Sequence, residues 1–284
     1  LDVRSYLSSG KINLGLSVGP LREDGFHPLQ TIFIRISLFD RLLIAKSDQL
    51  KLTCSQPGVP VDGENLLLKA YHAYYKNQSD PPPLRIHLEK KIPMGAGLGG
   101  GSSNAAELLK VLSVDQLDEI TIEHLREIAL SLGSDVPFFL ESEPCYAEGR
   151  GEVLSPIPPL PSLPLLLAGT QTHLSTAEVY SRFDTIPASE HKDFPLQEIQ
   201  QDLHSTGGKN LSELVRNDLQ PIVESNWPEM LVVREKLENS GAHYVSMSGS
   251  GFAYYGIYPS VRLRDHALQS LRNTLPFVQP VETF

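Results

Sequence analysis

The chemistry this sequence offers is concentrated in Pro93-Met94-Gly95-Ala96-Gly97-Leu98-Gly99-Gly100-Gly101-Ser102-Ser103-Asn104-Ala105-Ala106, where five glycines are followed at once by two hydroxyls. Ahead of it, Leu84, Ile86 and Leu88 alternate with Arg85, His87 and Glu89, the period of a half-buried strand. Behind it, Ala105, Leu108, Leu109 and Leu112 recur at i, i+3, i+4 and i+7, one face of a helix. Asn104 and Glu107 have the spacing of a reciprocal helix cap. The glycines therefore lie between a strand and a helix N-terminus. There, backbone N–H groups and the positive end of the helix dipole attract an anion. The missing Cβ atoms let a ligand come close to the backbone. The ligand this predicts is a phosphate group.

Two other glycine loops fit less well. A P-loop needs Lys directly after its last glycine, and none follows here. Gly95, Gly97 and Gly100 match the dinucleotide spacing G-x-G-x-x-G. That fingerprint also needs an acid closing a second strand about 20 residues on. The distance falls at Asp115 and Asp118, after the helix, where no strand pattern is present. A plain flexible linker would not be flanked so closely by a strand and an apolar helix face.

The elements that must position the loop are legible along the chain. Ile12, Leu14, Leu16 and Val18 alternate with polar or small residues as a strand, Arg22-Glu23-Asp24-Gly25 supplies a turn, and 29–39 returns as a second strand. Further strands are expected at 41–45 and 50–54, a loop at 57–63 and a helix at 65–75. Beyond the loop helix, Leu125, Ile128, Ala129 and Leu132 share a face of another, starting near Thr121 and ending with Gly133 at C′. Ser134-Asp135-Val136-Pro137 then leads into apolar 138–140. Five prolines within 156–164 mark the expected division into domains 1–158 and 159–284. A strand at 165–168 follows, then helical segments at 211–215, 219–224 and 230–239. A hairpin at 242–247 and 252–258 turns on Ser248-Gly249-Ser250-Gly251. A helix at 261–272 and a strand at 277–281 end the pattern, and the mixture predicts an α+β fold.

Composition sets the limits. At 284 residues with 40% hydrophobic content, the chain can bury a core of two modest domains. A formal net charge of −10 argues against nucleic acid or a membrane surface as partner. No apolar run reaches the length of a membrane span, and neither a signal nor a transit pattern opens the chain, which begins at Leu rather than Met. Cys54 and Cys145 lack metal-ligand spacing and read as two reduced thiols of a cytoplasmic protein.

Residues 93–106 resemble the P-x-x-x-G-L-G-S-S-A-A loop of the GHMP small-molecule kinases, with extra glycines. Other segments match the branch whose acceptor is 4-diphosphocytidyl-2-C-methyl-D-erythritol. Gly10-Lys11-Ile12-Asn13-Leu14 is similar to its A-K-x-N-L. Arg22-Glu23-Asp24-Gly25-Phe26-His27-Pro28-Leu29-Gln30-Thr31 is similar to R-x-D-G-Y-H-x-L-Q-T, with Phe for Tyr. Leu132-Gly133-Ser134-Asp135-Val136-Pro137-Phe138-Phe139 is similar to L-G-[AS]-D-V-P-F-F, and Ser248-Gly249-Ser250-Gly251 is a degenerate match to a third superfamily motif. The resemblance implies an N-terminal domain related to a ribosomal-protein fold, a ferredoxin-like C-terminal domain, and phosphoryl transfer from ATP to the acceptor's 2-hydroxyl in non-mevalonate isoprenoid synthesis.

The same resemblance assigns roles. Phosphoryl transfer asks for positioning, charge stabilisation and a proton acceptor. Asp135, by itself a residue that could cap the turn at Val136-Pro137, becomes the general base. Lys11, by itself an ordinary surface lysine, becomes the cation beside Asp135 and the transferred phosphoryl group, offsetting charge that develops in the transition state. Asn13, two residues on and so on the same strand face, contacts the acceptor. Pro93, Met94, Gly95, Ala96, Gly97, Leu98, Gly99, Gly100, Gly101, Ser102 and Ser103 hold ATP, with Asn65 and Lys90 near the nucleotide; from the sequence alone Lys91 is equally placed. Phe26 and Tyr180 sandwich the cytosine, and His27 hydrogen-bonds its edge. Mg²⁺ is expected with ATP, without assigned ligands. A homoserine or mevalonate kinase is disfavoured by residues 24–27, and a silent nucleotide-binding protein by the presence of both Lys11 and Asp135.

Overall fold

The computed structural model describes residues 2–115, 120–170, 172, 174–185 and 194–284. Asp118, considered above as a ribose-binding acid, lies outside them. Two compact units interleave along the chain. One comprises Leu1–Gly10, Leu38–Met94 and Gly99–Ser142, the other Lys11–Ser37, Gly95–Leu98 and Glu143–Phe284. The proline stretch at 156–164 therefore falls within the second unit. Strands β1 (Arg4–Val18) and β2 (Leu29–Lys46), which pair with each other, each contribute residues to both units. The two strands expected at 29–39 and 41–45 are this one continuous β2, because Phe39 and Asp40 keep the extended alternation.

In the first unit, residues Arg41–Lys46 of β2 pair antiparallel with β4 (Leu84–Glu89), and β4 pairs in parallel with β3 (Lys51–Cys54). Helices α1 (Leu66–Tyr74), α2 (Gly100–Asp115) and α3 (Ile122–Leu132) pack on one another through the predicted apolar stripes. Leu67, Ala70 and Tyr71 of α1, Ala105, Leu108, Leu109 and Leu112 of α2, and Leu125, Ile128 and Ala129 of α3 are all buried. Thr121 caps α3 by accepting from the His124 N–H, at 3.2 Å. Gly133 does end that helix, but in an extended conformation (φ 160°, ψ 153°) rather than the left-handed one of a C′ glycine.

In the second unit, Thr31–Phe33 of β2 pair antiparallel with β5 (Cys145–Glu148), which forms a hairpin with β6 (Val153–Pro156). Four further strands form an antiparallel sheet in the order β10-β7-β9-β8, with β7 at Pro164–Gly169, β8 at Tyr244–Met247, β9 at Ala253–Ile257 and β10 at Phe277–Glu282. Helices α4 (Thr176–Phe183), α5 (Leu196–Thr206), α6 (Leu211–Leu214), α7 (Gln220–Asn226), α8 (Pro228–Asn239) and α9 (Val261–Leu271) accompany it. All five residues of β9 are buried. Its tyrosine hydroxyls are satisfied by donation, Tyr254 to Glu224 Oε1 and Tyr255 to the Asn13 carbonyl, at 3.0 and 2.9 Å. Burial pushes both phenols above the ordinary tyrosine range. Among the described residues, no helix is long and apolar enough to cross a membrane.

A buried carboxylate organises the first unit around the glycine loop. Asp40, 0% exposed, accepts from Lys90 Nζ on Oδ2 (2.7 Å) and from the backbone N–H groups of Lys91 and Ile92 on Oδ1 (2.6 and 2.8 Å). Asn104 Nδ2 donates both to Asp40 Oδ2 (3.0 Å) and to Ser8 Oγ (2.7 Å). Lys90 Nζ also donates to the Ile92 carbonyl. Burial holds the Lys90 ammonium below the usual lysine range, with Asp40 pulling the other way. Removing one partner of such a pair leaves an uncompensated buried charge. Asp40→Ala is therefore expected to cost about 3–5 kcal/mol. Thermal unfolding should show a Tm lower by roughly 10 °C, with a smaller loss in Asp40→Asn, which keeps the shape and an acceptor. A variant melting with the parent protein would remove this pair from the stability of the unit.

Candidate active site

The glycine loop owes its path to three residues in the left-handed region, Gly95 (φ 70°), Gly97 (φ 77°) and Gly99 (φ 68°), a conformation that side-chain-bearing residues rarely adopt. Helix α2 begins at once, at Gly100, and its first described bond is from the Ser103 N–H to the Gly99 carbonyl, at 2.8 Å. The N–H groups of Gly100, Gly101 and Ser102 precede that bond and belong to the turn whose donors a helix leaves for an external acceptor. The helix thus starts five residues earlier than an Asn104 cap would require. Asn104 is buried and bound to Asp40 and Ser8, and Glu107 pairs with Lys110 at 2.7 Å. Gly100 does not need its left-handed freedom. A Cβ there would collide with Ile92 and Lys90 Nζ at 2.8 and 2.9 Å, so this glycine admits the Asp40–Lys90 pair beneath the helix start.

Within the second unit, residues 95–98 pack backbone against backbone on the Ser248–Gly251 turn. Ser248 Oγ donates to the Gly97 carbonyl (3.0 Å) and the Ala253 N–H to the Ala96 carbonyl (3.3 Å). A Cβ on Gly97 would overlap the Ser248 carbonyl, and one on Gly251 would overlap the Ala96–Gly97 peptide. The weakest of the sequence motifs is thus the support of the strongest. On the other side of the loop, the Lys11 N–H donates to the Leu98 carbonyl at 2.9 Å.

Lys11 is not a surface lysine. It is 3% exposed, its Nζ donates to Asn13 Oδ1 at 2.6 Å, and it lies 4.7 Å above the Phe33 ring. Asn13 is held in turn, with Nδ2 donating to Thr31 Oγ1 (3.2 Å) and its backbone N–H to Ser248 Oγ (3.3 Å); Thr31 Oγ1 donates on to the Gly15 carbonyl (2.5 Å). Lys11, Asn13, Thr31, Ser248 and Gly97 therefore form one connected cluster. In the first unit, Asp135 is half-buried in the turn between α3 and a 3-10 helix at Pro137–Leu140. The cap position of that 3-10 helix is held by Val136, without a side-chain cap bond, so Asp135 is not its cap.

The residues expected at the base form a second cluster. His27, 9% exposed, has Nδ1 2.7 Å from the Gly19 carbonyl, so Nδ1 carries the proton and donates. Its ring lies 5.5 Å from that of Tyr180, tilted by 32°, and 5.7 Å edge-on from Phe183. Nε2 is shielded from solvent and makes no hydrogen bond, although Asp184 Oδ1 lies 2.9 Å away. Phe26 is 48% exposed and carries the Arg150 guanidinium 4.6 Å over its ring. Asp24 Oδ1 accepts from the Phe26 N–H at 3.1 Å, which, with the Arg22 guanidinium, holds that carboxyl below its ordinary range.

Two of the residues expected near the nucleotide have partners within the fold. Asn65 is the N-cap of α1, its Oδ1 accepting from Leu67 N–H (2.9 Å) while Nδ2 donates to the Pro60 carbonyl (2.6 Å). Lys90 points inward to Asp40, because a fully buried carboxylate must be paired; the side chain exposed at this point is Lys91. Pro93 is half-buried and Met94 exposed at the loop entrance. Thr31, Asp40 and Asp184 had no assigned role, and Asn104 only that of a helix cap. Of these four, Thr31 and Asn104 lie in motifs that could have suggested more.

Residues 65–143 match the GHMP kinases N terminal domain. The chain is 35% identical over 277 residues to the 4-diphosphocytidyl-2-C-methyl-D-erythritol kinase of Chlorobium luteolum, spanning 97% of this chain and 95% of that one. It is 38% identical over 269 residues to the kinase of the same name from Salinibacter ruber, spanning 92% of each. A crystal structure of 4-(cytidine 5'-diphospho)-2C-methyl-D-erythritol kinase shares the fold with a TM-score of 0.83, at 33% identity over 99% of both chains. Such identity, spread over nearly the whole length and not confined to the glycine loop, places the chain in the 4-diphosphocytidyl-2-C-methyl-D-erythritol kinase family of GHMP kinases.

Proposed function

We infer that this protein transfers the γ-phosphoryl group of ATP to the 2-hydroxyl of 4-diphosphocytidyl-2-C-methyl-D-erythritol, a step of the non-mevalonate isoprenoid pathway. The observation that carries the reading is the near full-length identity to kinases named for this acceptor. We place the enzyme in the cytoplasm, in keeping with a sequence of only two cysteines, which lack metal-ligand spacing. A net charge of −10 does not suit a nucleic-acid partner.

The residues divide the work as follows. The first N–H groups of α2 and the left-handed glycines before it hold the triphosphate. Lys91 takes over from Lys90 as the cation offered to the nucleotide. The acceptor oxygen attacks the γ-phosphorus, the bond from that phosphorus to the β,γ-bridging oxygen breaks, and ADP carries the electron pair away. The hydroxyl proton passes to the Asp135 carboxylate. Lys11, its ammonium fixed by Asn13 and by the Phe33 ring face, offsets the charge that accumulates on the transferred group. The cytosine lies between Phe26 and Tyr180, with its edge toward His27 Nε2, the ring nitrogen the fold leaves without a hydrogen bond.

Mg²⁺ enters with ATP. Among the described residues, no three His, Cys, Asp or Glu side chains gather to bind a metal. An ion brought in by ATP would be held chiefly by the substrate's phosphates and by few protein oxygens. When bound, the ion neutralises phosphate charge.

Asp135→Asn keeps the shape and removes the proton acceptor. Turnover is expected to fall by roughly 10²–10⁴-fold, with the melting temperature and ATP binding kept; near-parental turnover would take Asp135 out of the mechanism. For the base, stacking cannot tell cytosine from uracil, so selectivity has to come from polar pairing. A fully desolvated polar site rejects a mismatch by ~10⁴-fold. The parent enzyme should therefore prefer the cytidine substrate strongly over its uridine analogue. His27→Ala should reduce that preference, whereas Phe26→Ala should weaken both alike. Steady-state kcat/KM values for the two analogues decide, and equal efficiency in the parent enzyme would end the base-reading role of His27.

A further inference from the structure

We propose that Asp184 is a specificity-determining residue, a carboxylate that accepts from the exocyclic amino group of the substrate's cytosine and repels the oxygen that uracil carries in its place. The inference rests on the reading that the base edge meets His27, and adds to it a residue that no motif assigns.

The fold has already committed one side of the His27 ring. Its Nδ1–H is spent on the Gly19 carbonyl, so Nε2 is the ring atom left for a ligand. Asp184 Oδ1 lies 2.9 Å from Nε2, yet off the line on which that nitrogen would donate. The carboxylate therefore flanks the nitrogen without consuming it. A group that reaches Nε2 meets Asp184 as well.

Helix α4 brings the carboxylate there. Asp184 follows Phe183 as the C-cap and donates its N–H to the Tyr180 carbonyl at 3.0 Å. Tyr180 and Asp184 are thus one turn apart on one face. The same turn that sets an aromatic ring beside His27 sets an acceptor beside Nε2. Arg182, on the same helix, does not neutralise Asp184. Its guanidinium is bound to Glu178 (2.8 Å) and Asn226 (2.6 Å) and lies over Trp227. Among the described residues, the ion partner of Asp184 is His27. The Asp184 side chain keeps 39% of its exposure and has room to turn toward a ligand.

The chemistry discriminates in either protonation state of His27. With a proton on Nε2, imidazolium and carboxylate present a donor and an acceptor side by side. That is the complement of cytosine's ring-nitrogen acceptor and amino donor, and the inverse of uracil's N–H and carbonyl oxygen. Without that proton both atoms accept; the two amino hydrogens of cytosine still match them, and the uracil oxygen faces two acceptors. An ionised carboxylate never donates. It is the constant element of the pair.

The test is the ratio of kcat/KM for the cytidine substrate to that for its uridine analogue, measured in the parent, Asp184→Asn and Asp184→Ala. Because both substrates are turned over by the same preparation, the ratio is insensitive to the fraction of correctly folded enzyme. An amide can turn either a donor or an acceptor to the base. Asp184→Asn should therefore lower the ratio by about 10–100-fold, the size of one well-made base contact. Part of the change should appear as improved use of uridine. Asp184→Ala should lower the ratio through loss of cytidine efficiency. A parental ratio in both variants overturns the role of Asp184 and leaves that of His27 standing. A parent enzyme that does not distinguish the two bases overturns the His27 reading, and this proposal with it.

Discussion

The structure of the second unit depends on one close approach, the contact of the Ala96–Gly97 peptide with the Ser248–Gly251 turn. No side chain fits between these backbones, and the turn carries a serine whose hydroxyl ties the Gly97 carbonyl and meets the Asn13 N–H. Asn13 in turn holds the Lys11 ammonium. Lys11, Asn13 and the backbone of residues 95–98 are thereby located by a contact that leaves almost no conformational choice. That precision suits a reaction in which the protein contributes position and charge and makes no covalent bond.

The first unit solves a different problem. The helix to whose N-terminus we assign the phosphates has to start at a defined residue and stay there as charge arrives. Asp40 does this from below, binding the backbone of Lys91 and Ile92, the Lys90 ammonium and, through Asn104, the second turn of α2. A fully buried carboxylate is costly unless every lone pair is used. Here both oxygens accept two bonds each, with a buried lysine as counter-charge. Gly100 is part of the same arrangement, since only a residue without Cβ leaves space for Lys90 and Ile92 beneath the helix start.

The cluster around His27, to which we assign the base, is built from local pieces that converge late. The Arg22–Asp24 pair shapes the turn that presents Phe26, the Gly19 carbonyl orients the imidazole of His27, and α4 adds Tyr180 and Asp184 one turn apart. Arg150, from the β5–β6 hairpin, covers one side of the Phe26 ring. An acidic protein can bind an anionic substrate in this way because the favourable field is local, made of backbone N–H groups and a few positioned cations.

The sequence by itself determined the elements whose cause is local. The alternation in 12–18 and the apolar stripes of α2 and α3 appear where the period predicts, because side-chain burial on one face is what makes those segments strand or helix. The motifs around Lys11, Phe26, the glycines and Asp135 were also readable, since special backbone and charge requirements restrict residue type. The hairpin of β5 and β6 was not, because its short strands gain their stability only from pairing with β2. Neither could the sequence say that Lys90 turns inward, that Asn65 is spent on capping α1, or that Asn104 braces Asp40 instead of capping α2. Each of these depends on what stands opposite across a long sequence separation, and a lysine next to a lysine looks the same until a buried carboxylate chooses one. Asp184 is the extreme case: an unremarked acid after a short helix acquires a chemical meaning only because tertiary packing sets it 2.9 Å from the one uncommitted nitrogen of His27.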